Sequence, residues 1–214
     1  MSRIGIIDYH MGNLRSVQKA FEFIGADAVI LHRSEDVESV DKLVLPGVGS
    51  FADAMKFLNQ MGWIEPIRKH IEAGKPFLGI CLGMQLIFEG SEEEATPGEI
   101  VPGLGILPGK VVRFNENMGD GGLLKVPQMG WNAIHWDRND PLFDGLEQDS
   151  HVYFVHSYHV QPTETAETPI SSARADYGGE FTATVWKGNV WATQFHPEKS
   201  QRIGLRILKN FAAI

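Results

Sequence analysis

The sequence predicts an α/β fold with a mostly parallel central sheet flanked by helices and with additional antiparallel β elements. Two features carry that expectation. Between Arg3 and Phe88 short apolar runs alternate with amphipathic segments of helical period, the pattern of a parallel sheet covered on both faces. Beyond Glu92 the alternation gives way to short β-rich segments separated by turn residues.

Taken in order, Arg3 to Ile7 is an apolar strand. Asn13 is placed to cap a helix whose buried face carries Leu14, Val17, Phe21 and Ile24 and which Gly25 stops. Ala28 to Leu31 and Lys42 to Leu45 are strands, and Phe51 to Leu58 and Ile64 to Ile71 are helices. Phe77 to Ile80 is a fourth strand after a helix stop at Gly74, and a helix follows Cys81 and ends near Gly90. Glu92, Glu93 and Glu94 with Thr96-Pro97-Gly98 read as a solvated loop in preference to an acidic metal site. Val101 to Phe114, Asn132 to Trp136, His151 to Val160, Thr182 to Trp186 and Val190 to Phe195 have β character, with turns at Asn117 to Gly122 and Gly188-Asn189. A final helix carries Ile203, Ile207, Leu208 and Phe211, with Ser200 as its candidate cap. No internal repeat, low-complexity tract or clear linker divides the chain, so residues 1–214 are expected to form a single domain.

Charge and cysteine content narrow the classes of function. The chain carries 19 basic against 27 acidic residues, a formal net charge of −8, which argues against nucleic acid as a partner because phosphate binding relies on clustered Lys and Arg. Its single cysteine cannot form an internal disulfide. The first residues lack a signal-peptide core, and no uninterrupted apolar run approaches the roughly 18 residues of a membrane span. A cytoplasmic protein without a membrane partner is the expectation.

The lone cysteine stands in Gly79-Ile80-Cys81-Leu82-Gly83-Met84-Gln85, where a strand gives way to a helix. Small residues on both sides of a sharp strand-to-helix turn make a nucleophile elbow. The helix N-terminus then directs free N–H groups and the positive end of its dipole at the sulfur, favouring the thiolate, which is the reactive form. Taken alone, a single intracellular cysteine is more commonly a buried, inert thiol. The flanking glycines and the position at the elbow favour the nucleophile.

A cysteine nucleophile needs a base, and His196 in Gln194-Phe195-His196-Pro197-Glu198 is the best placed of the eight histidines. Pro197 excludes helical geometry at His196, and in an extended segment His196 and Glu198 project to the same side. The imidazole can then take the thiol proton while the carboxylate fixes its tautomer and stabilises its cation. Without the cysteine, His196 reads as an ordinary surface or core histidine. The third element is Leu45-Pro46-Gly47-Val48-Gly49-Ser50, a glycine-flanked turn after a buried strand. It can aim backbone N–H groups, Val48 among them, into a cleft as an oxyanion hole, with Leu82 N–H as second donor. A plain tight turn remains the alternative; a phosphate cradle lacks its Gly-x-Gly-x-x-Gly or Gly-Lys-Ser/Thr spacing. Because ligands collect at the carboxyl ends of parallel strands, Asp8 to Asn13, Pro46 to Ser50 and Cys81 are expected on one edge.

These three motifs, in this order, resemble the class I or triad glutamine amidotransferases. Within that family the chain is similar to the glutaminase subunits of imidazole glycerol phosphate synthases, nearly end to end. The similarity includes Ile4 to Tyr9 with Gly12-Asn13-Leu14, Pro127 to Asn132, Phe154 to Tyr158, Asp176 to Phe181 and Gln194 to Gln201. The resemblance implies that Cys81 attacks the side-chain amide of glutamine, His196 protonates the departing ammonia, and water releases glutamate from a thioester. It implies glutamine contacts at Gly47, Gly49, Gln85, Ser157 and Tyr158, no cofactor, and a (β/α)8-barrel cyclase partner forming a heterodimer. The ammonia must reach that cyclase through a sealed passage before water protonates it. Asn13, Met129, Trp131 and Lys199 are implied at the contact surface, although spacing alone makes Trp131 a core aromatic and Lys199 a solvated charge.

Two departures from the family pattern fall near that surface: Gln128 stands where His is common, and Asn117 to Leu124 is longer than usual. His151, His156 and His159 invite a metal reading, but His156 and His159, three apart on a strand, are expected to face opposite ways. Competing functions remain distinguishable. A stand-alone hydrolase of γ-glutamyl compounds would be fully active alone. A glutaminase of aminodeoxychorismate or anthranilate synthesis would keep the triad and change the docking residues. A non-catalytic module would have a broken triad.

Overall fold

The computed structural model describes residues 2–117 and 122–214. In chain order its elements are β1 (Arg3–Ile7), α1 (Leu14–Phe23), β2 (Asp27–Leu31), β3 (Lys42–Gly47), α2 (Phe51–Gln60), α3 (Ile64–Glu72), β4 (Phe77–Cys81), α4 (Leu82–Leu86), β5 (Gly90–Ser91), β6 (Val101–Pro102), β7 (Gly109–Arg113), β8 (Gln128–Ile134), β9 (Ser150–His156), β10 (Tyr158–Pro162), β11 (Ser171–Asp176), β12 (Glu180–Lys187), β13 (Val190–Thr193) and α5 (Gln201–Ala213). Short tight helices occupy Ser34–Ser39, Pro141–Phe143 and Pro197–Lys199.

Seven strands form the central sheet in the order β11-β12-β13-β4-β3-β1-β2. From β2 to β13 neighbouring strands run parallel, and β12 and β11 extend the sheet antiparallel at one edge. Alternation along the strands gives the sheet two buried faces. Ile4, Ile6, Val44, Leu78 and Ile80 pack with Val17 and Phe21 of α1 and Ile207 and Phe211 of α5. Ile7, Leu43, Leu45 and Phe77 pack on the opposite side with Phe51 and Leu58 of α2 and Ile67 of α3. Outside this sheet, β10-β7-β5-β6 make a four-stranded sheet and β8-β9 an antiparallel pair.

The parallel half follows the sequence reading closely. The departures have local causes. α4 stops at Leu86 rather than near Gly90, because the incoming loop donates Leu104, Ile106 and Gly105 N–H groups to the carbonyls of Leu86, Ile87 and Phe88. Neither proposed cap acts: the Asn13 side chain makes no capping bond, and Ser200 Oγ is bonded elsewhere. Val101 to Phe114 is not one strand but two, β6 and β7, and β8 begins at Gln128, four residues before the expected start at Asn132. His151 to Val160 divides at Ser157 into β9 and β10. That break removes the strict alternation, so His156 and His159 do not face opposite ways: both rings pack on Phe114, at 5.1 and 4.7 Å between centroids. β11, with serines, an arginine and an aspartate among its residues, carries too weak an apolar signal to be read as a strand. Of the segment Asn117 to Leu124, residues 118–121 lie outside the described residues, and Asn117 and Leu123 on either side form an isolated antiparallel bridge.

Candidate active site

Cys81 sits where β4 ends and α4 begins, paired in register with Gly47 of β3. Its backbone φ of +55° is the left-handed conformation that L-residues seldom adopt, the strain typical of an elbow that lifts a nucleophile off the sheet. The bend is possible because backbone crowds backbone around it. A Cβ on Gly83 would lie 1.8 Å from Leu45 O, and one on Gly79 would lie 2.7 Å from Gly83 O.

Across the sheet edge, the end of β13 leads into Gln194, Phe195 and His196. His196 is extended, as the following proline requires, but Pro197–Lys199 is a tight helical turn and not a continued strand. That turn brings Glu198 back so that its Oε1 accepts from His196 Nδ1 at 2.8 Å, with both side chains almost fully buried. His196 N–H also donates to Tyr153 O of β9. Burial opposes the imidazolium, but the charge of the neighbouring Cys81 and the hydrogen bond and charge of Glu198 raise His196 above the ordinary imidazole range. Both partners favour the cation, the form that can give a proton to a leaving group.

These residues open on a cavity of about 390 Å³ lined by Val48, Gly49, Cys81, Leu82, Gln85, Glu93, Pro127, Val155, His156, Ser157, Tyr158 and His196. Its volume suits a molecule of amino-acid size. Leu82, the first residue of α4, has an N–H that no intrahelical carbonyl can reach. Val48 is exposed on the turn opposite. Gly47 does not line the cavity; its missing side chain makes room for Tyr9 Oη and Leu82 Cβ, 2.5 and 2.8 Å from where a Cβ would stand. The Asp8 to Asn13 loop does abut the Pro46 to Ser50 turn, since a Cβ on Gly49 would meet Met11 Cε at 2.8 Å.

Gln85 is buried and held from within: its Nε2 donates to Tyr158 O at 3.0 Å and to Gln194 Oε1 at 3.2 Å. Gln194 Nε2 in turn lies 3.8 Å from Cys81 Sγ, a donor to the sulfur that the sequence motifs did not single out. Two further cavity residues escaped the sequence reading. Glu93 stands in an acidic run read as solvated, yet it is half-buried against the cavity and accepts Phe51 N–H at 3.0 Å. Burial, and then its neighbour Glu94, raise its carboxyl against the lowering effect of that bond. His156, within the Phe154 to Tyr158 segment but given no role there, is pushed down to about 3 by burial, so it stands neutral with Nδ1–H donating to Tyr158 O at 2.8 Å. Among the described residues no group of three or more His, Cys, Asp or Glu side chains is arranged to hold a metal ion.

Asn13, Met129, Trp131 and Lys199 lie outside the cavity. Trp131 is 48% exposed and Met129 65%, so Trp131 is not a core aromatic. Its ring meets Tyr153 edge-on at 6.0 Å across the β8–β9 pair.

The family model for glutamine amidotransferase class-I matches residues 5–214. The chain belongs to this family. It is 56% identical over 209 residues to the imidazole glycerol phosphate synthase subunit HisH of Syntrophotalea carbinolica, covering 97% of this chain and 98% of that one. It is 51% identical over 212 residues to the same-named subunit of Geobacter sulfurreducens, covering 99% and 98%. Among solved structures, it is similar in fold to one described as a glutamine amidotransferase, with a TM-score of 0.72 at 22% identity and 99% of both chains covered. It is similar also to PurLQS of Thermotoga maritima, with a TM-score of 0.69 at 20% identity, covering 99% and 96%. This amidotransferase therefore shares with its relatives the whole length over which the elbow, the turn and the His-Pro-Glu segment are spread. No helix among its described residues is long and apolar enough to cross a membrane.

Proposed function

We propose that this chain is the glutaminase subunit of imidazole glycerol phosphate synthase, acting as one domain that hydrolyses glutamine and passes ammonia to a (β/α)8-barrel cyclase. The observation that carries the reading is an elbow cysteine and a buried His196–Glu198 pair on one small cavity, in a chain similar from end to end to subunits of that name. Cys81 Sγ attacks the side-chain amide carbon, and the oxygen takes charge facing the N–H groups of Val48 and Leu82. His196 transfers its proton to nitrogen as the C–N bond breaks, leaving a thioester and ammonia. Water, deprotonated by the now neutral His196, cleaves the thioester to give glutamate and the thiol. Glu198 keeps the imidazole in line through both halves. Gly49, Gln85, Ser157 and Tyr158 shape the glutamine pocket. A cytoplasmic address accompanies this reading, since the mechanism needs the lone cysteine reduced.

Glu93 supplies the negative charge that an amino-acid ammonium requires in a cavity otherwise lined mainly by neutral groups. Glu93→Gln keeps an acceptor for Phe51 N–H and removes only the charge. Loss of a charge-assisted contact predicts a KM for glutamine raised about 10- to 100-fold with kcat changed far less. Steady-state kinetics decide it: an unchanged KM places the ammonium elsewhere.

Met129 and Trp131 project from β8 as large exposed apolar groups, which supports a docking face there together with Asn13 and Lys199. The deciding experiment is a glutaminase assay of the purified chain alone and with cyclase and its ligand. Weak hydrolysis alone, strongly raised by the loaded cyclase, is the expected result. Equal rates in both conditions speak for a stand-alone hydrolase and remove the subunit reading.

A further inference from the structure

We propose that Ser200 is a positioning residue for the catalytic base, its hydroxyl closing a ring of hydrogen bonds that fixes the main chain of His196. The inference rests on the glutaminase reading of Cys81 and His196. Ser200 is fully buried, and its Oγ donates to His196 O at 2.7 Å while accepting Tyr153 N–H at 3.0 Å. His196 N–H donates in turn to Tyr153 O at 3.0 Å. Three bonds thus join both backbone groups of His196 to both backbone groups of Tyr153. Among the described residues no strand lies beside the outer edge of β9, and the serine hydroxyl stands in for the missing strand carbonyl.

Such a ring does more for His196 than a helix cap would do for α5. The imidazole is anchored to Glu198, but Glu198 stands on a turn of only three residues, which by itself does not fix the pair relative to Cys81. β9 is a rigid reference, since it pairs along its length with β8 and lines the cavity through Val155 and His156. α5 is held close to the same turn: a Cβ on Gly204 would lie 1.8 Å from Pro197 O and 2.8 Å from Ser200 Cβ. There is consequently little room for Ser200 to turn its hydroxyl elsewhere. Without it, Tyr153 N–H loses its partner, and the carbonyl of His196 keeps only the N–H of Lys199. The base can then shift without unfolding the protein.

The test is Ser200→Ala in the complex with cyclase, assayed for glutamine hydrolysis and followed by ring-nitrogen NMR of His196. Displacing a base by a fraction of an ångström to about 1 Å predicts kcat lower by about 10- to 100-fold, with KM within about twofold. The imidazolium, which Cys81 and Glu198 stabilise in the parent against the effect of burial, should titrate at lower pH once its ring shifts from them. Should Ser200→Ala be too unstable to assay, Ser200→Cys, a larger side chain with a much weaker donor, is measured the same way and is expected to lower both kcat and the titration pH of His196. An unchanged kcat, or a fall in kcat with His196 titrating as in the parent, overturns the proposal. A parent complex without cyclase-stimulated glutaminase overturns the underlying reading instead.

Discussion

Cys81→Ala should abolish glutamine-dependent synthesis by the complex while ammonia-dependent synthesis continues at the parent rate. The two halves of this expectation come from different parts of the structure. Alanine removes the sulfur and nothing else: the side chain is buried, its Cβ remains, and the strained φ of +55° is no worse for alanine than for cysteine. The elbow, the His196–Glu198 pair and the exposed Trp131 face are left standing, so docking on the proposed cyclase partner is expected to persist. Chemistry does not persist, because a His–carboxylate pair deprived of its nucleophile retains only a small residue of catalysis. Groups that act as a unit lose on the order of 10⁴-fold or more when the nucleophile is removed. The measurement is product formation with glutamine and with an ammonium salt at alkaline pH. Loss of both activities would give Cys81 a structural part in the complex and undo the assignment of nucleophile; survival of both would leave the reaction to another residue.

What the sequence disclosed about this site depended on how much of each signal was local. The elbow was legible because Gly79 and Gly83 flank Cys81 within seven residues and the apolar run before it has strand character. His196 and Glu198 were legible because a proline between them restricts the backbone, although their meeting is produced by a tight turn and not by an extended strand. Glu93 was not legible. Its neighbours Glu92 and Glu94 give it the local texture of a solvated loop, and only the packing of that loop over Phe51 N–H turns it into the cavity. The parts played by Gln194, His156 and Ser200 were not legible either, because each depends on a contact that local pattern does not show, with Cys81, with Tyr158 after a strand break, and with Tyr153 of β9. The parallel strands were plain from continuous apolar runs, whereas β11 was hidden because an edge strand can carry Ser172 and Arg174 without losing its ladder.

The glycines of the elbow lead to the second large effect, on stability rather than chemistry. Gly83→Ala adds a single methyl group, and ordinarily a helix is improved by that change by roughly 0.5–1 kcal/mol. Here the sign reverses. The new Cβ would stand 1.8 Å from Leu45 O and 2.9 Å from Leu45 C, well inside any allowed contact, and both atoms belong to β3 at the centre of the sheet. A side chain could rotate away, but a strand carbonyl bonded into a parallel ladder cannot. Relief must come from α4, which would have to lift off β3 and carry with it the Leu82 N–H and the Cys81 sulfur. Its room to move is small, because the carbonyls of Leu86, Ile87 and Phe88 are tied to the loop at 104–107. The expected cost is about 3 kcal/mol or more, equivalent to a fall in unfolding midpoint of roughly 6–12 °C for a chain of this size, together with loss of glutaminase activity. Gly74→Ala provides the contrast: no atom lies within 4 Å of its Cβ position, and the backbone φ of +74° alone costs only about 1 kcal/mol. Thermal unfolding followed by circular dichroism separates the two. A Gly83→Ala midpoint no lower than that of Gly74→Ala would mean that strand and helix tolerate a side chain between them, and that the glycine is not what lets the sulfur stand where it does.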